Sequence, residues 1–573
     1  TFFYTNQQSA RLMFYHDHAW GITRLNVYAG EAAGYLITDS TEKALTAPGG
    51  ALDGLGAGTP LIIQDKTFVP SPAAMAQQDP TWNAGKWGGE GSLWTPHVYM
   101  PAQNPGDPSG MSSFGRWMYG PWFWPPAKDA KYPPIANPYY DAACDADVQP
   151  FCEPAEIPST PNVSVGMEAF NDTPIVNGTA YPKTTVDPKA YRYRILNAAN
   201  DRFWNLSWYV ADPTTGTLSE VALKPAEVAA AQTDINVVPT PDTTKSPAGP
   251  SWVQIGTEGG FLPAPVVVPA QPTTWITDPT RFDVGNVDQH SLLLAPAERA
   301  DVIVDFSQYK GKTLILYNDA PAAFPARVAG YDYYTGGPDL SPAGAPSTLA
   351  GYGPNTRTIM QVNVSNATPA TAFDRPNTTA DRMGALNAAF AHHVDATTGK
   401  PAGVFESGQH PIIVGQKAYN SAYGTSFAGS GNCNSPKTPA AKCDGYARIS
   451  QQGGDTFKFD ALGPNKDGKG PQLGIPLQPK GIHDEMNSAN FDEWGRMTAN
   501  MGLEAPGATP LLQNIILYPY VNPATELLDS TDMPSALDVT PISTAADGTQ
   551  IWKITHNGVD THPLHFHLYD VQV

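Results

Sequence analysis

Apolar and β-branched residues recur along the chain in short runs, each closed by Gly, Pro, Asn or a charged residue. The clearest are Gly34–Thr38, Pro60–Asp65, Tyr191–Leu196, Ala300–Phe306, Thr313–Tyr317, Thr358–Val364 and Ile551–Thr555. Runs of this length between turn residues predict strands, and their recurrence predicts β-sandwiches. Helical turns are predicted only near Arg24–Ala33 and around Phe491–Asn500. Two stretches, about 71–161 and about 366–479, show little periodicity and are too long to be plain connections in a compact domain, so they read as insertions. The first carries Trp82, Trp87, Trp94, Trp117, Trp122 and Trp124 among many Pro and Gly. Simple loop packing explains such a set better than a substrate-facing aromatic wall, because large aromatics dominate any irregular core.

Composition narrows the picture. The chain has 573 residues, enough for roughly three to four domains, or fewer large β units. Its 57 Pro and 52 Gly exclude helical bundles and coiled coils. Lys plus Arg number 34 against 54 Asp plus Glu, a net charge of −20 with no basic run, which sets aside nucleic acid and anionic lipid as partners. No apolar segment approaches the roughly 20 residues that span a bilayer. No fixed-period repeat is present. The four cysteines form two close pairs, Cys144 with Cys152 and Cys433 with Cys443, read as local disulfides. That reading favours an oxidising compartment, secreted or periplasmic. Thr1 to Tyr4 has neither the charged nor the apolar region of an export signal, and the start reads as the middle of something longer.

Of twelve histidines, five sit in two compact motifs. In Phe14-Tyr15-His16-Asp17-His18-Ala19-Trp20-Gly21 an extended backbone would place His16 and His18 on one face, about 6 to 7 Å apart. Two imidazoles so spaced can each serve a different metal ion. In Thr561-His562-Pro563-Leu564-His565-Phe566-His567, His565 and His567 again share a face while Pro563 sets His562 apart, so three ligands can reach two sites. A single His-x-His is usually structural. Two of them near opposite ends of one chain reverse that reading, because neighbouring imidazoles among Leu564 and Phe566 are costly to bury without a common partner. Imidazole suits copper, zinc, iron or nickel, so ligand type alone does not choose the metal. The seven other histidines read as surface or loop residues, with His483, Asp484 and Glu485 the faintest trace of an extra cation site.

The segments from His16 through Gly30 and from His562 through His567 resemble the second and third copper-binding motifs of the multicopper oxidases. Pro60–Phe68, Tyr191–Asn197, Gln254–Pro265, Leu292–Phe306 and Leu316–Pro321 resemble framework segments of the bacterial laccase-like branch of that family. The resemblance implies an all-β chain of tandem cupredoxin-like Greek-key sandwiches with long loop insertions. It implies a type 1 copper, a type 2 copper and a binuclear type 3 pair. It further implies that His16 and His18 bind the type 3 pair, His562 the type 1 copper, His565 the type 2 copper and His567 a type 3 copper. The partners it implies are dioxygen and a small electron donor such as a phenol, aromatic amine or metal ion.

Two of the family's four motifs are not found. None of the fifteen residues before His16 is His, and the chain ends six residues after His567 without a His-Cys-His segment. The expectation is an internal fragment of a longer oxidase, inactive alone, whose gene continues past Val573 into that segment. The expected domains are the tail of a first cupredoxin unit over 1–50, a second over 55–350 with the 71–161 insertion, and an incomplete third over 351–573 with the 366–479 insertion. One rival is a non-enzymatic copper-binding or structural cupredoxin protein. A zinc hydrolase using His16, His18 and a carboxylate is disfavoured, because the spacing is strand-like and not the helical i, i+4 of zinc proteases. Few methionines and no methionine cluster argue against a cuprous-ion site.

Overall fold

The structure is a computed structural model, and it describes chiefly residues 8–94, 171–373 and 381–408, with short internal breaks, plus short segments between 135 and 157 and between 456 and 517. Ile551–Thr555 and the whole His562–His567 motif lie outside the described residues. The chain enters through β1 (Arg11–His16), α1 (Thr23–Ala29), β2 (Ala32–Ile37), α2 (Ser40–Thr46) and β3 (Thr59–Lys66). It continues through β4 (Thr173–Val176), β5 (Thr179–Ala180), β6 (Lys183–Val186), β7 (Ala190–Asn197) and β8 (Trp204–Val210), then α3 (Pro225–Ala231), β9 (Trp252–Thr257) and β10 (Gly260–Val268). There follow β11 (Leu292–Leu294), β12 (Arg299–Asp305), β13 (Thr313–Asn318), β14 (Thr358–Val364), α4 (Arg382–Phe390) and α5 (Val404–Gly408).

The strands β3 to β14 build two sheets, while β1 and β2 pair only with each other. One has the order β11-β8-β13-β14-β6, the other β10-β9-β12-β7-β3-β4-β5. All pairings are antiparallel except β3 with β7 and β14 with β6. Alternate residues of both sheets point into one core: Leu61, Ile63, Tyr193, Ile195, Trp252, Val302 and Val304 from the larger sheet, and Trp204, Leu206, Trp208, Leu314, Leu316 and Val362 from the smaller. A common core shared by two sheets is a β-sandwich, as the run pattern predicts. Trp208 sits at its centre, 5.5 Å from Trp252 and edge-on to Phe306 at 5.3 Å between ring centroids. The Trp252 indole donates to the Leu206 carbonyl at 2.8 Å, which satisfies its one polar atom.

The intervening residues of the larger sheet point to its other face, which is also covered. There Ile255 and Ile303 pack with Leu45, Leu52, Phe261, Phe373, Leu386, Phe390 and Val404, contributed largely by α2, α4 and α5. Four buried charges share this layer. Arg192 grips Asp301 with two contacts of 2.8 and 2.5 Å and reaches Glu42 at 2.8 Å. Arg194 pairs with Glu42 and lies 3.5 Å from Asp301. Burial drives the Glu42 carboxyl above its ordinary value despite Arg194 and Arg192. Burial works the same way on Asp301, but there Arg192 and Arg194 outweigh it and the net shift is downward. The segment between β2 and β3 is thereby tied to the sandwich, helped by the carbonyls of Gly56 and Ala57, which accept from Arg192 and Arg194 at 3.0 and 2.9 Å.

The helix expected around Phe491–Asn500 is not formed where the structure describes it: Ala489–Phe491 and Met497–Ala499 are paired strands. The stretch expected to be an irregular insertion after 366 carries α4, α5 and a hairpin of Thr456–Leu462 with Lys469–Pro476. The stretch after 71 opens with a helix over Pro72–Gln78. Trp94 from that stretch is buried against Val69, Met75 and Tyr333, a packing role and not a wall facing solvent. The sandwich's last strand, β14, lies beyond residue 350. Of the four cysteines only Cys144 lies among the described residues, so both pairings stay expectations. No helix among the described residues is long and apolar enough to cross a membrane.

Candidate metal centre

The first histidine motif stands at the end of β1, which pairs with β2 in register from Arg11 opposite Ile37 to His16 opposite Ala32. Leu12, Phe14 and His16 share one face of the strand. Leu12 and Phe14 pack on Leu196 and Ala198 with Ile62, so the strand that carries the histidine is seated against the sandwich. Arg299 of β12 fixes the strand from beneath. Its Nε donates to the Leu12 carbonyl at 3.1 Å, and its guanidinium lies over the Phe14 ring at 5.3 Å.

The return leg, α1, is fastened as firmly. Tyr28 is buried, and its hydroxyl donates to the Trp94 carbonyl at 2.6 Å while accepting from the Thr67 amide at 3.1 Å. Lys66 donates to the Tyr28 carbonyl and lies over its ring at 5.2 Å. The helix stops at Gly30, whose φ of +123° is left-handed backbone that favours glycine. Both Gly30 and Glu31 then donate to the Asn26 carbonyl, at 3.1 and 2.9 Å. Two anchored legs hold the turn between them, of which residues 20–22 lie outside the described residues.

At that turn the rings of His16 and His18 stack at 5.6 Å between centroids, 26° from parallel, and Phe14 stacks on the far side of His16 at 5.6 Å. The strand itself ends at His16, so the expected continuous extended backbone through His18 is not what aligns them. The shared side of the two rings is nonetheless as expected. His16 Nδ1 lies 2.6 Å from the Asp17 carbonyl oxygen. A carbonyl can only accept, so the proton sits on Nδ1 and, in the neutral ring, Nε2 carries the lone pair. That is the donor chemistry a copper ion takes from imidazole, and the residues present fit it.

Asp17 is the residue whose part the sequence did not disclose. Its Oδ2 accepts from Asn26 Nδ2 at 2.9 Å and from the Ala19 amide at 3.0 Å, and these hydrogen bonds hold the carboxyl below its ordinary value. An Asp side chain capturing the amide two residues on is a recognisable turn signal, and it was present in the sequence. Asn26, nine residues away, left no such trace. Among the described residues no group of three or more His, Cys, Asp or Glu is placed to hold a metal ion. The structure brings His16 and His18 together; His562, His565, His567 and the faint trio His483, Asp484 and Glu485 lie outside the described residues.

No family model matches the chain. It is 27% identical over 317 residues to a laccase of Bacillus subtilis, covering 55% of this chain and 35% of that protein. To a laccase of Bacillus stratosphericus it is 29% identical over 317 residues, covering 55% of this chain and 36% of the relative. A shorter stretch of 68 residues, 12% of this chain and 11% of the other, is 51% identical to a bilirubin oxidase of Albifimbria verrucaria. The chain resembles the multicopper oxidases. It spans about a third of the length of the two laccases it matches. Among solved structures, a multicopper oxidase of Aquifex aeolicus matches at 20% identity over 65% of this chain and 46% of its own, with a TM-score of 0.29.

Proposed function

We propose that the chain serves in a copper-dependent oxidoreductase that couples one-electron oxidation of a small donor, a phenol, aromatic amine or metal ion, to four-electron reduction of dioxygen to water. The observation that carries the reading is the stacked pair His16 and His18, with the His16 proton directed to a backbone carbonyl. His16 and His18 would hold the type 3 coppers with His567, His565 the type 2 copper, and His562 the type 1 copper. Bound copper would supply one-electron transfer from donor to oxygen. The protein's own part is to hold the imidazoles in place, through Arg299 and Phe14 under β1 and through Tyr28 and Lys66 under α1. The acidic net charge favours cationic or neutral donors. A secreted or periplasmic site of action with disulfides at Cys144–Cys152 and Cys433–Cys443 belongs to the same proposal.

The test is copper-dependent oxygen uptake with a phenolic donor, measured on these 573 residues and on the product of the coding sequence read on in frame past Val573. The proposal requires a His-Cys-His segment in that extension, together with uptake, and no uptake from the 573 residues alone. A stop codon after Val573, with copper bound and no uptake, would favour the non-enzymatic copper-binding reading.

A further inference from the structure

The contact between His16 Nδ1 and the Asp17 carbonyl depends on how Asp17 is held. Three bonds hold it. The Asp17 amide donates to the Glu31 carbonyl at 3.0 Å, one step beyond the last paired residues of β1 and β2. Its carboxylate is gripped from the helix side by Asn26 Nδ2 and from the turn side by the Ala19 amide. Asn26 also sets Glu31, whose amide donates to the Asn26 carbonyl at 2.9 Å. One residue on α1 therefore fixes Asp17 from two directions, through its side chain and its backbone.

We propose that Asp17 and Asn26 are positioning residues that lock His16 in the tautomer with the proton on Nδ1, so that its Nε2 lone pair is the one offered to a metal ion. The proposal relies on the copper reading only for the identity of that metal. A hydrogen bond to the nitrogen remote from the metal is the general way a protein sets the tautomer and aim of an imidazole ligand, and disturbing it typically lowers metal affinity about 10- to 100-fold. Here the acceptor is a carbonyl, and what the side chains contribute is its position. A similar contact occurs at His290, whose Nδ1 lies 2.7 Å from the Ser291 carbonyl, with the Ser291 amide pinned by Asn205 Oδ1 at 2.8 Å. His290 thus provides an internal reference untouched by changes at Asn26.

The experiment is long-range proton–nitrogen correlation NMR on metal-free protein carrying nitrogen-15 histidine, at about pH 8.5 where imidazole is neutral. In the parent protein His16 should show a pyrrole-type Nδ1 and a pyridine-type Nε2. In Asn26→Ala, and in the milder Asn26→Ser, the His16 resonances should move towards the opposite tautomer while those of His290 stay fixed, which also reports an intact fold. Titration with copper(II) ions should then weaken about 10- to 100-fold in both variants. A pyridine-type Nδ1 in the parent, or His16 resonances unmoved by both variants, overturns the proposal. So does a tautomer that moves with no change in copper affinity, provided His16→Ala abolishes binding. If instead copper binding is the same in the parent and in His16→Ala while the tautomer moves as stated, the positioning holds and the copper reading fails.

Discussion

Replacing Asp172 by Asn should make the sandwich's stability less sensitive to pH, by an amount the structure sets. Asp172 is buried at the start of β4, where its Oδ1 accepts from Thr173 Oγ1 at 2.7 Å and from Thr67 Oγ1 at 3.0 Å. Burial pushes its carboxyl up to about 7, against those hydrogen bonds and the nearby Arg202. An unfolded Asp titrates near about 3.9. Between those values the folded carboxyl keeps its proton and the unfolded one has lost it, so unfolding releases a proton and stability falls as pH rises. The contribution is fully present below about pH 4 and is lost by about pH 7, at about 1.4 kcal/mol per pH unit. Asp65 (about 6) and Glu298 (about 7) are raised chiefly by burial as well and slope the same way, but they are common to both proteins and cancel in the difference. Asn keeps an acceptor for the two threonines and cannot ionise. Urea unfolding followed by tryptophan fluorescence, at pH 4.5, 5.5 and 6.5, should show the variant gaining on the parent by about 3 kcal/mol across that range. Parallel stability curves would refute the assignment of a protonated Asp172 in the folded state.

Glu42→Gln leaves Arg192 and Arg194 short of a buried counter-charge and should cost about 3 to 5 kcal/mol of stability in denaturant unfolding. Trp208→Ala empties the centre of the shared core and should cost about 3 to 5 kcal/mol by the same measurement. Peptide mapping under non-reducing conditions should recover Cys144 joined to Cys152 and Cys433 to Cys443; free thiols at all four would remove the argument for an oxidising compartment.

Much of the sandwich was legible because its strands bury one face cleanly. Pro60–Asp65, Tyr191–Leu196, Ala300–Phe306, Thr313–Tyr317 and Thr358–Val364 all fall on observed strands with small shifts at the ends. Gly260–Val268 was not legible as a strand because Pro263 and Pro265 interrupt it, and Pro is tolerated there since β10 is a sheet edge. Trp204–Val210 hides its character behind Asn205 and Ser207, polar residues that are buried in this fold. Asn205 is paid for by partners far along the chain, donating to Asp319 at 2.6 Å and accepting from the Ser291 amide at 2.8 Å. At the candidate metal centre the histidine types and spacing were enough to name His16 and His18. Asn26 and Arg299 were beyond reach because their roles come from packing across the fold and not from local pattern.

The central claim is that His16 and His18 share bound copper with His565 and His567. Copper-edge X-ray absorption on the copper-loaded protein, compared with His16→Ala, His565→Ala and the double variant, tests it most directly. Imidazole scattering is expected in the parent, with loss of copper in each single variant and a double variant little worse than either, because both motifs contribute to one cluster. Copper retained with unchanged imidazole ligation in both single variants, or losses that simply add, would contradict it.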